Sequence, residues 1–551
     1  MEKGISRRNF VAAGALGAVA ATAVSKTAFG AESPAGDGRQ WDEEYDIVIV
    51  GGGGAGFVAA IEAAAQDPSA TIHIIEKMGV TGGSSIMSGG NIGAIGTEVQ
   101  QAAAKDNPFF ADDTVDMYFD DKMASGDFQS DPDLVRLYVD RAHENYEWMK
   151  GFGIEWTRMG IYEQPAYVTS DPAVAAVQGA SVYLQSYGED GCYKGINQKG
   201  RWVCGPVYGD YSNGPAVMAA LEDQIKNNCP NVDIVTQTRM TSIVRDGIIE
   251  GDVLGIKAVD ADGNEKAIKA NRAVILACGG FAANPQMLHM FNGKIDLSVT
   301  PSGGTGNTGD GLVAAGFIGA QTVNMGSIQI DHGYNVNASG LFSTKASNPF
   351  GGAETYINLD ADGKRFWPEM AGAAQYSDGR LTALNAKHMV HYWTVGDAAS
   401  VAAGGATEDD LTSFAEIGII ANSVEDLASQ LGCDAATLQE TFDTYNGFVD
   451  AGVDTEYGKA AHWLTQKIGE PPFYAFETCY TCRSTPGGLR VATDCAVLDL
   501  NGNKIPHLYA CGEVTGNLHG HYRNTGGDSW TDIACFGRIA GESAAAESPV
   551  A

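Results

Sequence analysis

The segment from Tyr45 to Gly90 constrains this chain most. Asp46-Ile47-Val48-Ile49-Val50 is a short apolar run of β-branched residues, the pattern of a strand buried in a parallel sheet. Gly51-Gly52-Gly53-Gly54-Ala55-Gly56 follows directly and satisfies G-x-G-x-x-G at Gly51, Gly53 and Gly56. Phe57 to Ala65 is alanine-rich and helical in character. A second strand, Thr71 to Ile75, ends on Glu76, which lies 20 residues beyond Gly56. Strand, glycines, helix, strand and acid in this register make a βαβ nucleotide fingerprint. The first glycine permits a tight turn, the second lets the backbone approach a pyrophosphate, and the third lets helix and strand pack closely. The pyrophosphate then sits on the helix N-terminus, and Glu76 accepts from a ribose hydroxyl.

With 551 residues and 44% hydrophobic content, the chain can bury a large core in two or three domains. Its net charge of −33 argues against nucleic acid and anionic lipid as partners. Residues 1–30 read as a targeting segment. Ser6-Arg7-Arg8-Asn9-Phe10-Val11 is a twin-arginine pattern, Val11 to Val24 is apolar but too short and mild to span a membrane, and Ala28-Phe29-Gly30 offers small residues for cleavage. The expectation is export through the twin-arginine translocase, to the periplasm or the outer face of the cytoplasmic membrane. Residues 31–44 form a linker, no Cys precedes Cys192 to take a lipid anchor, and no later stretch is apolar enough to span a membrane.

Directly after Glu76, Lys77 to Gly90 reads KMGVTGGSSIMSGG. Small residues let a chain pass close to an extended ligand, and Ser hydroxyls can bond phosphate or a ring edge. This segment resembles the FAD-binding stretch of the fumarate reductase and succinate dehydrogenase flavoprotein family, whose relatives include urocanate reductases and 3-ketosteroid dehydrogenases. Ala273 to Phe281, Thr305 to Gly311, Leu508 to Gly516 and Phe536 to Gly541 are similar to further family elements, in the family's order. The resemblance implies an α/β fold: a Rossmann-like doubly wound FAD-binding domain in two pieces, 45–330 and 471–551, with an inserted α+β capping domain at 331–470. It implies FAD contacts at Gly51, Gly53, Gly54, Ala55 and Gly56, at Glu76 and Lys77, and at Gly83, Ser84, Ser85, Gly89 and Gly90. Asp310, Gly512, Glu513, Ser529 and Trp530 complete the set. In relatives with covalent flavin the attaching His follows the Gly/Ser cluster. Ile86 to Gly96 contains no His, so FAD is expected to be non-covalent.

Elsewhere the pattern predicts a helix capped by Asp131-Pro132 and closed by Gly151, with Leu134, Val135, Tyr138, Ala142, Tyr146 and Met149 on one face. It predicts an antiparallel strand set from Val232 to Ile275 with a turn at Asp262-Gly263-Asn264, and two helices in the cap between Asn422 and Phe448.

The family's dicarboxylate clamp is largely replaced. Asp331, with His332 beside it, stands at the clamp His, Ala373 at the acid Arg, and Ser484 at a second His. Arg523 remains, in Leu518-His519-Gly520-His521-Tyr522-Arg523. The candidate catalytic residues are therefore Tyr522, Arg523, Tyr376, Arg380, Ser484 and His519, with Tyr522 the favoured proton donor. This points to an exported FAD-dependent reductase of an activated C=C bond, an enone or enoate rather than fumarate, in anaerobic respiration. The alternative is a dehydrogenase acting beside a carbonyl, like the ketosteroid enzymes. Without a C-x-x-C-H haem motif, electrons are expected from a separate c-type cytochrome or quinol-linked protein. Cys479-Tyr480-Thr481-Cys482 reads as a strand passing near the flavin rather than a redox pair or half of a metal site, and no metal is expected.

Overall fold

The computed structural model describes residues 40–106, 110–159, 199–247, 249–332, 349–350, 355–369, 384, 386–459, 461–521 and 527–550. The twin-arginine segment lies outside them. Among the described residues no helix is long and apolar enough to cross a membrane.

The fingerprint folds as its pattern requires. β1 (Glu43–Val50), α1 (Gly54–Gln66) and β2 (Ile72–Ile75) form a parallel unit in which Ile47 lies opposite Ile72 and Val50 opposite Ile75. α2 (Pro132–Lys150) starts where the Asp131 carboxylate accepts from Asp133 N, and it ends at Gly151. All six residues named for its apolar face are buried. β3 (Val232–Val235), β4 (Glu265–Leu276), β5 (Phe473–Ser484), β6 (Lys504–Ala510) and α3 (Asp528–Ala546) complete the framework.

The main sheet runs β3, β2, β1, β4, β6 in parallel, with Ala496–Leu498 antiparallel on the outer edge of β6. Ile47–Val50 of β1 and Ala273–Leu276 of β4 are buried apolar runs, as strands covered on both faces must be. β3 corrects one expectation. It extends the main sheet in parallel, and the antiparallel set is confined to Arg239–Arg245, Val253–Val259 and the first part of β4. α3 packs along α1. Arg538 ties three helices together: Nε donates to Glu62 Oε2 of α1 at 2.9 Å and Nη1 to Asn145 Oδ1 of α2 at 2.7 Å.

A second sheet is built on β5. Its residues 474–479 pair with His391–Gly396 on one side, and 473–475 with Ile419–Ala421 on the other. Residues 480–484 pair instead with Gln329–His332, and Thr481 and Cys482 also pair with Thr300 and Pro301. β5 is thus the strand on which both halves of the second sheet are paired. Helices Val424–Leu431 and Ala435–Ala451 cover the second sheet with Leu427, Leu438, Phe442 and Tyr445. A buried charge cluster stiffens its flank. Arg365 bonds Glu369 through two 2.9 Å contacts and Asp454 at 2.8 Å, and Lys459 Nζ lies 3.3 Å from Glu369.

Candidate functional site

A cleft of about 860 Å³ opens at the C-terminal ends of β1 and β2, where ligands bind in open parallel sheets. Its floor is the fingerprint loop. Gly51 has φ +115°, and a side chain there would strike Ala277 O at 2.4 Å, so the turn needs glycine. A Cβ on Gly56 would lie 2.0 Å from Gly51 O, so Gly56 serves the packing of α1 on β1 and does not line the cleft. α1 begins at Gly53 with no side-chain cap and no acidic residue in its first turn. Its first-turn N–H groups and dipole suit a pyrophosphate.

Glu76 closes this end. Its Oε2 accepts from Gly52 N and its Oε1 from Met78 N, both at 2.8 Å, and it is 8% exposed. Lys77 Nζ donates to Asp310 Oδ2 at 2.8 Å and to Thr308 Oγ1 at 2.5 Å, so the Thr305–Gly311 turn docks on the Gly/Ser cluster. Ser84 Oγ accepts from Gly304 N and Asn307 Nδ2, Ser85 Oγ accepts from Gly54 N, and Trp530 Nε1 donates to Ser88 Oγ. Gly51, Gly53, Gly54, Ala55, Glu76, Lys77, Gly83, Ser84, Ser85, Gly89, Gly90, Asp310, Glu513, Ser529 and Trp530 all line one cleft. Gly512 does not. It holds φ +73° with Ala55 Cβ 2.8 Å from where its own Cβ would be, so it packs the final turn onto α1. An uncapped helix start, a glycine floor and an acid at the second strand are the donor and acceptor set that a dinucleotide such as FAD needs.

The catalytic candidates divide. Tyr522, Arg523, Tyr376 and Arg380 lie outside the described residues. Ser484 is buried and turned from the cleft, and its hydroxyl donates to Gln329 Oε1 at 2.6 Å; Gln329 is the residue that lines the cleft. His519 is 2% exposed and also set back. Lys122 Nζ lies 2.9 Å from its Nδ1, and Asp532 Oδ2 lies 3.1 Å from its Nε2. A lysine nitrogen only donates, so the imidazole accepts at Nδ1 and donates from Nε2. Lys122, itself fully buried, also lies 3.2 Å from Asp528 Oδ2, and Tyr138 OH donates to Asp528 Oδ1 at 3.0 Å. Asp528 and Asp532, on the first turns of α3, line the cleft. His519 therefore reaches the site through Asp532 rather than directly.

Several cleft residues are not among the cofactor or catalytic candidates of the sequence: Trp202, Arg239, Cys278, Gln329, Thr481 and Arg483. Burial pushes the Cys278 thiol up to about 12, so it is an uncharged wall group. Cys479 and Cys482 are both free, and three residues apart on one strand they face opposite sides. Burial raises both thiols, Cys479 to about 11, which removes the low-pKa thiolate that redox chemistry needs.

Comparison with known proteins agrees with this geometry. The family model described as FAD binding domain matches residues 46–528. Fumarate reductase (cytochrome) of Shewanella frigidimarina is 30% identical over 509 residues, covering 91% of this chain and 77% of its own length. NADH:acrylate oxidoreductase of Vibrio harveyi is 29% identical over 548 residues, covering 93% of this chain and 51% of its own length, so the chain spans about half of that relative. Among solved structures, the open conformation of a flavocytochrome c3 fumarate reductase aligns with a TM-score of 0.70 at 25% identity, covering 95% of this chain and 82% of that one.

Proposed function

The chain belongs to the family of the FAD binding domain, and on that footing we propose that it is an oxidoreductase that reduces an activated C=C bond, an enone or enoate. The observation that supports the reading is a single cleft lined both by the fingerprint and by β5, the long strand of the second sheet. FAD in that cleft supplies a hydride for the β-carbon of a polarised alkene. The protein's part is to fix the pyrophosphate on α1, hold the ribose at Glu76, and enclose the alkene under the strands and helices that residues 331–470 add to the second sheet. In this reading residues 331–470 are the capping domain, inserted between 45–330 and 471–551.

The proton is supplied by Tyr522 beside Arg523, with Tyr376 and Arg380 as the cap-borne alternative. A Tyr stays protonated at neutral pH, as an acid must. Fumarate itself is disfavoured, since Asp331, Ala373 and Ser484 leave its two carboxylates without their usual clamp. FAD is held non-covalently. Residues 1–30 direct export through the twin-arginine translocase, and a c-type cytochrome or quinol-linked protein delivers the electrons during anaerobic respiration. The test is to reduce the FAD-loaded protein with dithionite under anoxia and add alkenes one at a time. Prompt return of the oxidised flavin spectrum with enones or enoates is expected. Re-oxidation by oxygen or ferricyanide alone would overturn the reading.

A further inference from the structure

We propose that Arg483, together with Thr481 two residues before it, anchors a single anionic group of the substrate, the carboxylate of an α,β-unsaturated acid. The inference rests on the reductase reading above and names the part of the substrate that this wall of the cleft recognises.

β5 is otherwise a buried strand. Over its 12 residues only Glu477 and Arg483 are exposed. Glu477 has a partner, with its Oε1 3.0 Å from His391 Nδ1. Arg483 has no hydrogen bond or ion pair among the described residues, although it lines the cleft and the chain carries 68 acidic against 35 basic side chains. A shortage of carboxylates does not explain an unpaired guanidinium here. The acids that share the cleft are already engaged: Glu76 by Gly52 and Met78, Asp310 by Lys77, Glu513 by Thr485, Asp528 by Lys122 and Tyr138, Asp532 by His519.

Strand alternation puts residues 481 and 483 on the face opposite Cys482 and Ser484. Thr481 is 0% exposed, lines the cleft, and its hydroxyl has no partner among the described residues. Its backbone is paired with Asp331 and Thr300, so only the side chain is left unsatisfied. A buried hydroxyl without a partner is rare in a native fold and asks for a ligand atom. Arginine offers a planar fork of N–H donors that matches a carboxylate, and a threonine hydroxyl beside it adds a third contact. Both line the cleft on the stretch of β5 that pairs with Thr300–Pro301 and Gln329–His332, the wall that continues into the second sheet. Among the described residues the cleft has one more arginine with no hydrogen bond or ion pair, Arg239; it follows Thr238, whose N donates to Glu76 O, and so belongs to the ribose end. Among the described residues, Arg483 is the arginine on this wall of the cleft, and its fork matches one carboxylate.

The test uses FAD-loaded parent, Arg483→Gln, Arg483→Lys and Thr481→Val proteins. Acrylate and cinnamate are compared with their methyl esters as acceptors for the reduced flavin. Arg483→Gln should raise the half-saturating concentration of the acids by about 10- to 100-fold, the size of one charged hydrogen-bonded contact, and that of the esters by less than about threefold. Arg483→Lys should recover part of the loss, and Thr481→Val should lose less than Arg483→Gln. An equal loss on acids and esters, no loss on either, or loss of bound FAD would overturn the anchor. If no alkene re-oxidises the parent, the reductase reading falls. The anchor is then still decided by binding of propanoate and 3-phenylpropanoate to the oxidised protein, read from the flavin spectrum. Weaker binding to Arg483→Gln supports it, and unchanged binding overturns it.

Discussion

Replacing Glu76 tests whether the fingerprint holds the cofactor. In the fold, one carboxylate satisfies Gly52 N and Met78 N at 2.8 Å each, on either side of Lys77, while remaining 8% exposed to the cleft. Glu76→Gln keeps the shape but leaves one oxygen for two backbone N–H groups. One charge-assisted bond, worth about 1.5–3 kcal/mol, is lost, and the ribose loses a charged acceptor. That energy corresponds to an increase of roughly 10- to 150-fold in the Kd for FAD. Glu76→Ala should weaken FAD further, because both N–H groups lose their acceptor and the loop relaxes. The assay is titration of apoprotein with FAD, following quenching of flavin fluorescence, alongside the Tm of the apoprotein. A Kd within twofold of the parent for Glu76→Ala, with a folded apoprotein, would refute the assignment of Glu76 to the ribose.

Other outcomes follow from the same geometry. Lys122→Met leaves Asp528 and His519 buried without their cation, and it should cost about 3–5 kcal/mol, read by urea unfolding; an unchanged midpoint would contradict the network. Burial alone would raise the Glu369 carboxyl, but the Lys459 and Arg365 charges hold it below the usual carboxylate range. Its contribution is therefore complete above the ordinary carboxylate range and fades as pH falls below it toward the lowered folded value, so the Tm of the parent should drop more steeply below about pH 4.5 than that of Glu369→Gln, by differential scanning calorimetry. Equal slopes would count against this. Acid precipitation should release FAD into the supernatant, and colour retained on the pellet would mean a covalent bond.

The parts of this molecule that sequence made legible are the ones where local chemistry determines geometry. The glycine run and Glu76 announce a turn and an acceptor at fixed spacing, and α2 announces itself by Asp131, Pro132, Gly151 and its apolar stripe. Strand pairing is less legible, because Val232–Val235 has the same composition whether it joins β2 in parallel or its sequence neighbours in antiparallel. His519 sits between two cofactor-contacting runs and so reads as a site residue, yet it is enclosed by Lys122, 397 residues away in sequence. No local pattern contains that contact. Arg483 does not stand out in the sequence, because the family's motif points to Ser484, one position later. A signal existed: the guanidinium interrupts an apolar strand, and on a strand alternate residues face opposite ways.

The most direct measurement is product analysis of a single turnover. Protein reduced at its FAD is mixed under anoxia with one equivalent of an α,β-unsaturated acid or ketone, and the mixture is resolved by mass spectrometry. One saturated product per flavin re-oxidised is the expected result. Flavin re-oxidation with the alkene intact, or an alkene formed from the saturated compound by the oxidised protein in place of its reduction, would contradict the account.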